Sequence, residues 1–154
     1  MSTIKVDTYL TRGGASEIAI DKLKGVTAAG SMLVVAEGGT TTTSLQQGLV
    51  KHWCNLQADG FSINDSFNNA SCTDNGNCNY DYTYTNAFAN NDYCPSGFIR
   101  DGGDLTHFKG VQSTDGSNFS TTTITVRPAA VNASAFDTAF DPAHCCLSIT
   151  GDLA

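Results

Sequence analysis

The chain has 154 residues, a formal net charge of -7 and only 15% charged residues, a size that one compact domain with an extended appendage accounts for. Thr, Ser, Asn and Gly fill the place of the missing charges, which suits β-strands joined by polar turns and excludes a helical bundle built on Ala, Leu, Glu and Lys. The charge is uneven: residues 1–51 nearly balance, whereas residues 52–154 set Arg100, Lys109 and Arg127 against eleven aspartates, a head that repels phosphate backbones and argues against nucleic-acid binding.

In chain order, the first forty residues read as short extended pieces, Ile4–Val6, Glu17–Ile20 and Ser31–Val35. Gly13-Gly14, Gly25, Gly30 and Gly38-Gly39 break them apart. None is long enough to stand alone, so each needs a partner from the rest of the fold or from a neighbouring subunit. Residues 1–43 are therefore expected to form an extended N-terminal arm, with Ile4, Val6, Ile18, Ile20, Leu33 and Val35 as its docking residues. Next, Ser44-Leu45-Gln46-Gln47 matches a capping box, and Leu45, Leu49 and Trp53 fall on one helical face. Gly48 weakens that helix, so residues 44–53 are expected to be a short helix or hinge.

From residue 54 to 154 the signals are those of β-structure. Phe61 and Ile63 alternate with polar residues, and Asn75-Gly76 is a strong hairpin signal. Tyr80, Tyr82 and Tyr84 then recur at period two, opposite Asp81, Thr83 and Thr85. Further strands are expected at Phe98–Arg100, Thr121–Val126 and Cys145–Thr150. The fold class predicted is mainly β, an extended N-terminal arm followed by an antiparallel β-sandwich or jelly-roll-like head. The tyrosine row and Trp53 are expected in its core, although aromatic rings along one strand also suit sugar binding.

The six cysteines, Cys54, Cys72, Cys78, Cys94, Cys145 and Cys146, are disulfide candidates. Cys72 and Cys78 flank the Asn-Gly turn, so a cross-strand bond between them is expected. The other four allow three pairings, and adjacent Cys145 and Cys146 point to opposite strand faces and need different partners. A bond between subunits fits the spacing as well. A soft-metal set of His144, Cys145, Cys146 and Cys94 is the rival, but no Cys-x2-Cys knuckle supports it, so no metal is expected. His52 and His107 stand alone in the sequence. Asp101-Gly102-Gly103-Asp104 reads as a plain turn before a calcium loop. Asn69-Ala70-Ser71, Asn118-Phe119-Ser120 and Asn132-Ala133-Ser134 match glycosylation sequons that an Asn- and Ser-rich chain produces by chance.

Neither a Gly-x-Ser-x-Gly nor a His-Glu-x-x-His motif occurs, and the glycine pairs lack the lysine of a phosphate loop. No catalytic residues and no cofactor are expected. Charged residues interrupt any apolar run near the N-terminus, and no stretch reaches the roughly 20 apolar residues of a membrane helix, so neither a signal peptide nor a membrane partner is expected. Disulfides without a secretion signal fit a protein made in a reducing cytosol and used outside the cell.

Several segments resemble the fibre-like and head-decoration structural proteins of aquatic, cyanophage-type tailed phages. They are Met1-Ser2-Thr3-Ile4-Lys5-Val6-Asp7-Thr8, Ile18 through Thr27, Ser44-Leu45-Gln46-Gln47-Gly48-Leu49 through Trp53, Ser66-Phe67-Asn68 through Gly76, Asn86-Ala87-Phe88-Ala89-Asn90 and Gly151-Asp152-Leu153-Ala154. The resemblance implies a virion structural protein, assembled as a homotrimer. It suggests a capsid decoration (cement) protein bound to the major capsid protein, or else a short tail fibre or tip that touches a host surface receptor. The Cys72 and Cys78 pair departs from the usual pattern of that family.

Overall fold

A computed structural model of the chain describes residues 32–35, 39–76, 78–100, 108–112, 119–132, 135–139 and 141–153. The chain is mainly β, and every strand pairing among the described residues is antiparallel. The first elements among the described residues are two paired strands, β1 (Leu33–Val35) and β2 (Thr42–Ser44), followed by a single helical turn, α1 (Leu45–Gly48). The head then runs through β3 (Val50–Gln57), β4 (Ser62–Phe67), β5 (Asn69–Asp74), β6 (Tyr80–Tyr84), β7 (Cys94–Arg100), β8 (Phe108–Gln112), β9 (Thr123–Asn132), β10 (Ala135–Ala139) and β11 (His144–Thr150).

These strands form two sheets packed as a β-sandwich. One has the order β4-β3-β11-β7, and the other the order β10-β9-β6-β5, with β8 also pairing with β9. Alternation builds the core between them. On β3 the residues His52, Cys54 and Leu56 face inward, and on β11 Cys145, Leu147 and Ile149 do the same. The other sheet answers with Tyr80, Tyr82, Tyr84, Ile124 and Val126, while Phe88 and Tyr93 close one end. Each buried tyrosine is worth a few kcal/mol of burial before the entropy of ordering is counted. The phenol of Tyr82 also donates to the Cys145 carbonyl at 3.0 Å, which satisfies a polar group deep in the core.

The chain crosses from the first sheet to the second at Asn68, between β4 and β5. Asn68 adopts a left-handed φ of 56°, which asparagine tolerates better than most side chains. Its amide donates to the Lys51 carbonyl at 3.0 Å and to the Asn86 carbonyl at 3.1 Å, and its side-chain oxygen accepts from the Asn86 backbone at 2.7 Å. At the next hairpin, Asp74 accepts from the Gly76 backbone at 2.8 Å and Gly76 takes a φ of 72°, so the Asn-Gly signal is answered by a real turn.

Two expectations are corrected here. The helical segment expected over residues 44–53 is one turn long: Ser44 caps it through Gln47, and after Gly48 the chain is already extended at Leu49. Val50–Trp53 belong to β3, because the period-two burial of His52, Cys54 and Leu56 gains more from the sandwich than a helix interrupted by glycine does. Trp53, expected in the core, falls on the opposite face of β3 and is only half-buried. Phe61 sits in the turn before β4 with a φ of 44° and stacks against Tyr80 with the centroids 6.3 Å apart.

Candidate functional site

Three places on the molecule bear on function: the hairpin before the head, the thiols within it, and the outer face of the β4-β3-β11-β7 sheet. In the hairpin, Leu33, Val34 and Val35 pair with Ser44, Thr43 and Thr42. A half-buried strand hides alternate residues, yet all three apolar residues here are exposed, Val35 by 58%. Leu33 and Val35, expected to dock, are thus surface residues; Ile4, Val6, Ile18 and Ile20 lie outside the described residues.

The thiols are arranged differently from the expectation. Cys54, Cys72, Cys78, Cys94, Cys145 and Cys146 are all free. The β5–β6 register sets Cys72 opposite Tyr82, and Cys78 lies in the turn at a φ of 61°, so the two cysteines are not cross-strand neighbours. The Cys72–Cys78 pairing is corrected accordingly. The Cys72 sulfur instead faces that of Cys54 across the two sheets, at 3.8 Å. Asn69 links this pair to His52: its amide donates to the Cys72 sulfur at 3.7 Å, and its carbonyl oxygen accepts from His52 Nε2 at 3.1 Å.

These contacts set the acidity of the groups. The hydrogen bond from Cys54 holds the Cys72 thiol below its ordinary pKa, with the Asn69 amide adding to the effect and burial opposing it. Cys54, which gives that hydrogen bond, is pushed up, and burial pushes it further. Burial lowers the pKa of His52, whose Nδ1 meets no hydrogen-bond partner among the described residues, against a smaller opposing contribution from Asn69. Burial and the neighbouring Asp141 push Cys78 up to about 11, and burial takes Cys145 to about 11. Asn69, the first residue of a sequon, therefore has its side chain engaged inside the head.

Cys145 and Cys146 do point to opposite faces, the first into the core and the second outward toward Asn55 at 3.6 Å. The soft-metal set is not brought together. His144 pairs with Arg100 at one end of the β11–β7 ladder and Thr150 with Cys94 at the other, roughly 20 Å away at the rise of a strand. The Asp101–Asp104 turn, His107 and Asn118 lie outside the described residues.

The outer sheet face is where the sequence reading was least informative. The register places Phe67, Trp53, Ser148 and Ser96 in one row, and Asp65, Asn55, Cys146 and Phe98 in the next. An open trough of about 350 Å³ runs there, between Trp53 and Phe98. Ser96 and Ser148 lie 2.8 Å apart on its floor, and Phe98 stands 70% exposed at its rim. A half-buried Trp beside polar hydroxyls, with exposed Phe67 and Phe98 nearby, can take an apolar or flat ligand surface and hydrogen-bond its edge. The Phe98 signal in the sequence was its place on a strand flanked by glycine and isoleucine, which does not tell inward from outward.

Among the described residues no helix is long and apolar enough to cross a membrane. Comparison with protein-family models, with curated proteins and with solved structures finds no match in any of the three.

Proposed function

We propose that the chain is a non-enzymatic structural protein of a tailed-phage virion, a capsid decoration protein that docks on the major capsid protein through its N-terminal arm. The observation that carries this reading is the β1–β2 hairpin, whose Leu33, Val34 and Val35 are exposed side by side just ahead of the sandwich. Two short strands in water are marginal by themselves and gain stability when a third surface covers their apolar residues. The head complements the arm in character: it is acidic, braced by its own core, and suited to facing water. Trimeric assembly belongs to the same proposal. The test is the copy number relative to the major capsid protein in purified particles. Hundreds of copies per particle are expected for a lattice decoration, and their absence from particles overturns the reading.

A second reading, a short tail fibre or receptor-binding tip, is favoured by one observation. The head's outer sheet face carries Trp53, Phe67 and Phe98 around a trough, where a head that only meets water has no use for exposed rings. On this reading a handful of copies sits at the tail, and purified protein blocks infection of host cells. Phe98→Ser is then expected to abolish the block while the fold survives.

A further inference from the structure

We propose that Cys54 and Cys72 form a disulfide that staples the two sheets of the head together once the protein meets oxidising surroundings. Their sulfurs already face each other at 3.8 Å and need to close to about 2.05 Å, a movement within the reach of side-chain rotation. The position is structurally telling. Cys54 lies on β3, inside its sheet, whereas Cys72 lies on β5, at the end of the other sheet's strand order. The bond therefore ties an edge strand to the interior of the facing sheet and bridges the two layers of the sandwich.

The surroundings assign the two thiols different parts. Cys72 is half-buried, so solvent reaches it, and its sulfur accepts hydrogen bonds from Cys54 and from Asn69. Both contacts favour its thiolate, the form that attacks. Cys54 is 2% exposed and serves as the resolving thiol. With a small-molecule disulfide such as oxidised glutathione as oxidant, the Cys72 thiolate attacks one of its sulfurs. A mixed disulfide forms and one glutathione thiolate leaves. Cys54 then gives its proton to the medium and attacks the Cys72 sulfur, and the second glutathione leaves. Two protein thiols and one disulfide become one protein disulfide and two glutathione thiols. The chemistry holds whatever surface the arm attaches to; the virion reading supplies only the passage from a reducing cytosol to the outside.

The experiment treats the reduced full-length protein with oxidised glutathione under native conditions, blocks the remaining thiols, and cleaves before aspartate. Such cleavage leaves Cys54 alone on residues 21–58, Cys72 alone on residues 65–73 and Cys78 alone on residues 74–80. The expected product joins 21–58 to 65–73, with Tm raised on the order of 10 °C and the folding constant on the order of a hundred-fold, as closure of a loop of this length gives. A bond joining 65–73 to 74–80, or a Cys72 that stays reduced, overturns the proposal. In Cys54→Ser, Cys72 should stop at the glutathione adduct with no gain in Tm; a gain retained in that variant also overturns it. Fragment mapping on the unaltered chain decides the matter even if the variant does not fold.

Discussion

Tyr80 and Tyr82 are wholly shut away from water, whereas Leu33, Val34 and Val35, no less strand-forming, stand exposed in a hairpin of three-residue strands. The difference lies in what covers each strand. β6 is flanked by β5 and β9 and faced by a second sheet, so every inward ring meets a neighbour. The β1–β2 ladder is a separate two-stranded sheet with no such layer in the described residues. Apolar composition alone therefore does not make a core; what buries a strand is the layer that faces it, and the proposed docking surface is the strand that lacks one among the described residues.

Substitutions on the two sides should separate this contrast by size. Tyr82→Ala is expected to cost about 3–5 kcal/mol in denaturant unfolding, since it removes a buried ring together with its hydrogen bond to the Cys145 carbonyl. Loss of less than about 1 kcal/mol would mean that the sandwich repacks easily and that the core is not what holds the head. Asn68→Ala should cost about 2–3 kcal/mol, because alanine resists the left-handed corner and carries none of the hydrogen bonds to Lys51 and Asn86.

Gly97→Ala comes next, at about 1–3 kcal/mol, since an added Cβ would meet the Val111 side chain at 2.8 Å where β7 approaches β8. Adding Val111→Gly, which removes the Cβ and both methyls that the new Cβ meets, should recover part of that loss, and a purely additive pair of effects would speak against the clash. Buried His52 gives a pH dependence whose direction is set by its burial. Its folded-state pKa is depressed, so its contribution to stability is complete above the unfolded value of about 6.5 and is lost as the pH falls below it. Stability should therefore decline with falling pH below about 6.5, and His52→Gln should flatten that decline relative to the unaltered chain. The smallest effect is expected in the hairpin. Leu33→Ser with Val35→Ser should move stability by no more than about 0.5 kcal/mol, and on the proposed decoration role it should abolish attachment to particles. A large loss of stability there would place the hairpin within the fold's own core.

How much of this was legible beforehand follows from range. The tyrosine strand and the Asn-Gly turn could be read because a period-two pattern and a left-handed turn residue are local facts. The β3 strand was half missed: Leu45, Leu49 and Trp53 imitate a helix face, and only the facing sheet rewards His52, Cys54 and Leu56 for being a strand. Trp53 illustrates the same limit, since parity within a strand says which residues share a face but not which face meets the core.

The cysteines mark the boundary most clearly. The sequence by itself determined an antiparallel, turn-rich head with acidic surfaces and with Cys145 and Cys146 on opposite sides of one strand, because strand alternation and charge depend on neighbours along the chain. Which thiols meet was decided by the tertiary structure alone. Cys72 and Cys78 are six positions apart yet set out of register by the turn between them, while Cys54 and Cys72, eighteen apart, are brought face to face when the chain turns the corner at Asn68 and the two sheets close on each other.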